Sequence, residues 1–270
     1  MAIDILALWD FSDLPLSEQR FRDALVGSSE DDQLILQTQI ARTYGIRKNF
    51  EQARAILDSV ADQLNDSGPE ARVRYHLELG RTYSSTTHSS ESQNAEAKEA
   101  ARTHYMASFE LAKDAGLDYL AVDALHMMTM VDTSPEAQIE WNSKAIAFME
   151  ASQDPAAKLW EASLRNNLGY ALHLQERYED ALNEFNTALE LRKKTGKEPQ
   201  IRVAYWMIAW TFRAMNRLDE ALEIQLRLEQ ECDDAGRPDT YVYKELEQIF
   251  LAKNDPERAE IYRLKQAPTS

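Results

Sequence analysis

The sequence is short of what staples, spans or binds metal. Its 270 residues include a single cysteine, Cys232, so no intrachain disulfide can form and no thiolate cage can be assembled. Glycine and proline number eight each, too few for a loop-dominated or disordered chain. No apolar run approaches the roughly 20 residues of a membrane-spanning helix. Met1 to Leu8 is apolar but brief, carries Asp4 and lacks a basic leader, so no signal peptide is expected. Basic charge is scarce as well: 30 Lys plus Arg stand against 46 Asp plus Glu, a formal net charge of −16. Such a surface repels phosphate backbones and anionic headgroups, which argues against nucleic acid and membrane as partners. A soluble cytoplasmic protein is the expectation.

Chemistry-bearing constellations are equally thin. The five histidines, His76, His88, His104, His126 and His173, are scattered and none shows metal-ligand spacing. Gly196-Lys197 lacks the preceding glycine and the following Ser or Thr of a phosphate loop, and reads as a helix end. Cys232 falls near a helix C-terminus, where the dipole disfavours a thiolate. No cofactor, no metal and no catalytic set is expected, and with them no enzymatic activity.

What the chain has is helical apolar periodicity, with 44% hydrophobic residues to build it. Around Asn166-Asn167-Leu168-Gly169-Tyr170-Ala171-Leu172, the residues Leu168 and Leu172 stand one turn apart. After a polar turn at Glu176-Arg177, the residues Ala181, Phe185, Ala188 and Leu189 form a stripe at i, i+4, i+7 and i+8. Small residues at Gly169 and Ala181 let two helix axes approach closely, with Leu172 and Phe185 filling the space on either side.

These positions (Leu168-Gly169, Ala171-Leu172, Ala181, Phe185 and Ala188) closely resemble the tetratricopeptide repeat. The resemblance implies an all-α, right-handed superhelical solenoid. On that reading residues 1–30 form an N-terminal capping half-repeat, an unrelated leader helix being the alternative. Helix pairs follow at 31–66, 69–115, 117–151, 154–195, 199–235 and 238–267, all in one continuous array. Trp9 and Phe11 are expected to fold back onto the helix capped by Asp13, whose apolar side carries Leu16, Phe21, Leu25 and Val26; a neighbouring subunit is their other possible home. Gly45 is read as a helix end. The polar stretch 84–94 is read as an exposed, mobile loop, either inert or a binding element. The markers Ala53, Ala101, Ala137, Ala181, Ala221 and Ala259 recur at more than the ~34 residues of a minimal repeat. That elongation resembles kinesin light chains and bacterial peptide-receptor and regulator domains.

In such arrays the first helix of each pair lines the inner wall. Helical angles measured from Leu168 and Leu172 put Asn166, Tyr170 and His173 on that wall. The same register assigns Arg42, then Arg74 and Arg81, then His126, then Trp206, Trp210 and Arg213, and finally Tyr241 and Lys244. A basic, aromatic groove in an acidic shell suits a protein or peptide segment, acidic groups included: arginine forks take carboxylates and aromatics supply rigid contact area. Asn166-Asn167-Leu168 also resembles the Asn-Asn-Leu of kinesin-light-chain repeats, which implies that Asn166 holds a bound main chain. Two alternatives stay open: Trp206 and Trp210 as inter-repeat core, and the arginines as mere neutralisers of nearby glutamates. The Lys/Asn carboxylate clamp of chaperone-binding relatives is not reproduced. A non-enzymatic binding scaffold is the expected function; the alternative is a peptide-sensing regulator that changes conformation on binding.

Overall fold

Side-chain caps set most helix starts in the computed structural model, which describes residues 3–266. Asp13, Ser29, Asn49, Asn94, Ser134 and Asp255 each accept a hydrogen bond from a main-chain N–H in the first turn of the helix that follows. Pro135 and Pro256 occupy first helical positions, where a missing N–H costs nothing. Among the described residues every regular element is helical, and none is long and apolar enough to cross a membrane.

The chain divides into two compact units, Met1–Trp160 and Glu161–Ser270. The first contains α1 (Ile5–Leu8), α2 (Leu14–Ala24) and three helical hairpins. These are α3 (Glu30–Ile46) with α4 (Phe50–Asp58), α5 (Pro69–Tyr83) with α6 (Ala95–Asp114), and α7 (Asp118–Met128) with α8 (Pro135–Ala151). The second contains three more: α9 (Glu161–Leu174) with α10 (Tyr178–Thr195), α11 (Glu198–Ala214) with α12 (Leu218–Asp234), and α13 (Thr240–Ala252) with α14 (Pro256–Lys265). Within each unit the first helix of a hairpin packs on the hairpin before it: α5 mainly on α3, α7 mainly on α6, α11 mainly on α10 and α13 mainly on α12.

Close approach of the paired helices rests on glycine facing a ring. A Cβ on Gly80 would meet Cε1 of Tyr105 at 2.6 Å, and one on Gly169 would meet Phe185 at 2.8 Å. Both rings are fully buried. The corresponding register position of the second helix holds Leu57 in the first hairpin, Asn142 in the third and Gln225 in the fifth, all at most 1% exposed. Asn142 donates to the Gln138 carbonyl, but its Oδ1 has no partner among the described residues; nor does either amide atom of Gln225. The third hairpin is thus in register at Asn142, Ala145 and Met149, and the marker expected at Ala137 is only half-buried.

Tight turns close four of the six hairpins with one recurring device. Lys48, Glu176, Asn216 and Asn254 take φ near +60°, and the following N–H bonds back to a carbonyl five residues earlier at 2.8–3.0 Å. Gly45, expected to end its helix, lies inside α3, and Lys48 makes the reversal instead. Gly196 does end its helix, at φ 65°.

Other local differences have plain causes. Ser84 and Ser85 of the polar loop are buried, not exposed, because the loop satisfies its own groups: Ser85 Oγ lies 2.9 Å from Thr87 Oγ1 and 3.0 Å from His88 Nδ1. His88 stacks on Phe50, and the Tyr105 hydroxyl donates to the Ser84 carbonyl. Residues 154–160 form a turn and a short 3-10 segment, so the fourth hairpin begins at Glu161. Val26 lies beyond the end of α2 and is exposed. Trp9 and Phe11 do fold back: they stack on each other at 4.7 Å, and Trp9 meets Phe21 of α2 edge-on.

Candidate functional site

The first helices of the three hairpins in residues 1–160 carry a chain of alternating charges. Arg81 donates to Glu78 on its own helix and to Asp123 on α7, each at 2.5 Å. Arg42, on α3, stands 3.6 Å from Glu78 and lies over the rings of Trp9 and Phe11 at 5.3 and 5.8 Å. Burial opposes ionisation of Asp123, but Arg81 and Arg42 outweigh it and hold the carboxyl below its usual range. His126 faces the same space beside Trp160, and burial lowers its pKa. The sequence register thus brings Arg42, Arg81 and His126 together. Arg74 sits apart, paired with Glu70 at 2.8 Å near Ile3–Leu6.

Charge is accordingly corrected. Arg42, Arg74 and Arg81, expected to offer free forks to a carboxylate, each face a carboxylate of the chain, and on α11 Arg213 is bidentate to Glu245 of α13. This is the alternative in which the arginines neutralise nearby carboxylates. Glu78 is three residues before Arg81, Asp123 three before His126, and Glu245 beside Lys244. An acidic residue one turn from an inward arginine was the available signal.

Residues 161–270 present an aromatic row instead. Tyr170 of α9 stacks on Trp210 of α11 at 5.7 Å, and Trp210 on Trp206 at 5.8 Å. Trp206 also donates its indole N–H to the Tyr241 carbonyl at the start of α13. Tyr170 is 40% exposed and both tryptophans are half-buried, so each ring joins neighbouring first helices while keeping an accessible part. His173 departs from its expected groove position: it is buried, stacked on Trp210 at 3.3 Å. The Thr211 hydroxyl lies 3.0 Å from His173 Nδ1 and 2.9 Å from the Met207 carbonyl. Burial lowers the His173 pKa to about 4. Tyr241 and Lys244 are exposed.

One turn before Tyr170 stands Asn166. It is 8% exposed, and its Oδ1 has no hydrogen-bonding partner among the described residues. A buried amide oxygen left unpaired is costly. Among the described residues no cluster of His, Cys, Asp or Glu is arranged to hold a metal ion. Cys232 is buried, and desolvation raises its pKa.

Comparison with known proteins gives a sequence match over part of the chain and a likeness of fold over most of it. Residues 160–230 match the family model of the tetratricopeptide repeat. No curated protein sequence matches. Among solved structures, a signal-transduction ATPase with a tetratricopeptide repeat sensor, from Pyrococcus horikoshii, superposes with a TM-score of 0.70 at 14% identity. It covers 95% of this chain, which spans 40% of the length of that ATPase. The apo form of RapI gives 0.69 at 11% identity, covering 93% of this chain and 69% of its own. The tetratricopeptide-like repeats of a candidate kinesin light chain from Podosopora anserina give 0.57 at 14%, covering 77% and 99%. At these identities the likeness is one of fold.

Proposed function

We propose that this chain, a tetratricopeptide-repeat protein, is a non-enzymatic cytoplasmic module that holds an extended peptide segment against the first helices of residues 161–270. The observation that carries this reading is the unpaired Asn166 Oδ1 beside the Tyr170–Trp210–Trp206 row. The amide oxygen accepts a main-chain N–H of the peptide, while the rings give flat apolar area at little entropy cost. Because Arg213 is already committed to Glu245, the peptide is selected by apolar side chains more than by acidic ones.

Peptides selected from a random 12-residue library on the full chain test this. Asn166→Ala and Trp210→Ala should each weaken a selected peptide by about 2 kcal/mol, roughly thirtyfold. Affinity should change little between low and high salt, since no free arginine fork is involved. Selected peptides that bind both variants as well as the parent would sink the assignment.

A second reading is a regulator that senses a peptide and changes conformation. The repeat sensor among the similar structures favours it, as do the polar wedges Asn142 and Gln225, whose unpartnered amide atoms make two hairpins less stable. A peptide-dependent change in scattering radius would separate it from a static scaffold.

A further inference from the structure

Between α3, α5 and α7, in the unit of residues 1–160, lies a cavity of about 200 Å³. It is separate from the aromatic row, so what it binds does not depend on the peptide reading above. One wall is polar and incompletely satisfied. Glu78 gives Oε1 to Arg81, but its Oε2 has no partner among the described residues although the side chain is only 2% exposed. The Arg42 guanidinium, also on this wall, makes no hydrogen bond among the described residues; its nearest carboxylate oxygen is 3.6 Å away. Trp9 and Phe11 cover its flat face, which leaves the N–H edge as the part that can donate. The lining also includes the apolar side chains of Ile46, Met127 and Met130, the indole of Trp160, and hydroxyls of the 84–94 loop.

These features restrict the ligand. Arg42 and Arg81 balance Glu78 and Asp123, so a guest of net charge would leave an uncompensated ion in a poorly solvated space. The unpaired acceptor asks for a donor, and the N–H edge of Arg42, ion-paired with Glu78 but not hydrogen-bonded to it, asks for an anionic or carbonyl oxygen. A volume of about 200 Å³ is on the scale of one amino acid. We propose that this cavity binds a free α-amino acid with an apolar side chain. Its ammonium group donates to Glu78 Oε2, its carboxylate accepts from Arg42, and its side chain lies against Met127, Met130 and Trp160.

Calorimetric titration of the full chain tests this with leucine, methionine and phenylalanine as ligands. Isoamylamine and 4-methylpentanoate serve as the amine-only and acid-only analogues of leucine. At least one of the three amino acids should bind, and both analogues should bind at least tenfold more weakly. Glu78→Gln should lower affinity at least tenfold. Met130→Trp, which fills the apolar side and leaves the ion pairs alone, should abolish binding in a chain whose circular dichroism is unchanged. Absence of binding by all three amino acids would overturn the proposal and leave Oε2 as a site for ordered water only. Equal binding of the amine analogue would overturn it in favour of a simple cation site, and unchanged binding by the Met130→Trp variant would place the ligand elsewhere.

Discussion

Gly169→Ala sets two well-measured effects against each other at the contact on which the α9–α10 hairpin is built. Alanine in place of glycine inside a helix gains about 1 kcal/mol from backbone entropy and helix propensity. The added methyl, however, would stand 2.8 Å from Cδ1 and Cε1 of Phe185 and 3.1 Å from Cζ. Carbon atoms pack best at about 3.5–4.0 Å, so the ring or the helix axis must yield by most of an ångström. Phe185 is wholly buried and has nowhere to swing, and forced overpacking of this kind costs about 1–3 kcal/mol. Repulsion wins, and the net effect should be a loss of about 1 kcal/mol. Phe185→Leu, which removes ring atoms, should cost about 1–3 kcal/mol on its own. Combined, the two changes fit each other: the methyl enters space the ring has vacated, and the pair should be at least 1 kcal/mol more stable than the sum of its parts. Urea unfolding of the four proteins, followed by far-ultraviolet circular dichroism, measures this cycle. Should Gly169→Ala instead gain the whole propensity term, with the double variant additive within about 0.5 kcal/mol, the two helices are not in the contact described.

Replacing Gln225 by methionine, of similar volume, removes two unpartnered polar atoms from a fully buried site; it should stabilise the chain by about 1–3 kcal/mol, and an unchanged thermal midpoint would count against it. Asp123→Ala leaves the buried Arg81 short of a partner and should cost about 3–5 kcal/mol. Asp180→Ala, which breaks a half-exposed pair with Arg177, should cost under about 0.5 kcal/mol in the same unfolding assay. Acid should weaken the fold well above the carboxylate range. His76 and His173 are held at about 4 by burial, with His104 and Arg213 respectively adding to it. The unfolded chain takes up these protons near pH 6.5, the folded chain only near 4. Stability is therefore complete above pH 6.5 and declines as pH falls toward 4. The urea midpoint should be lower at pH 5 than at pH 7, and a His76→Gln, His173→Gln variant should flatten that slope.

The architecture could be read before any coordinates because its determinants are local and periodic. Gly169, Ala181 and Phe185 recur at helical spacing and have few other uses, and Ser134-Pro135 and Asp255-Pro256 each start a helix by their own chemistry. Electrostatics on the inner faces was not legible in the same way. That Arg42, Arg81 and His126 share a face, and that Glu78 lies one turn from Arg81, follows from register, but that Arg42 meets Glu78 and Arg81 meets Asp123 depends on the spacing of three different helices. His173 shows the limit of an angular argument. It points away from Leu168 and Leu172 as expected, yet α11 closes over it, because Trp210 and Thr211 occupy the place where solvent was assumed. The reversal at Lys48 was missed for another reason: Gly45 is the obvious residue for a positive φ, but the bond from the Asn49 N–H to the Tyr44 carbonyl puts the left-handed residue at Lys48.

The wedge residues grade the hairpins by toughness. Within residues 1–160 the hydrocarbon or aromatic wedges of the first two hairpins are followed by Asn142; within residues 161–270 the ring of Phe185 is followed by Gln225. Repeats of this kind unfold by nearest-neighbour rules, each unit drawing on its own cohesion and on its interfaces. Hydrogen exchange should therefore find its fastest cooperative openings in the α7–α8 and α11–α12 hairpins, with the tyrosine- and phenylalanine-wedged pairs opening last. Each compact unit thus has a yielding segment beside a stiff one, and deformation under load or on ligand capture will concentrate there without spreading along the whole chain.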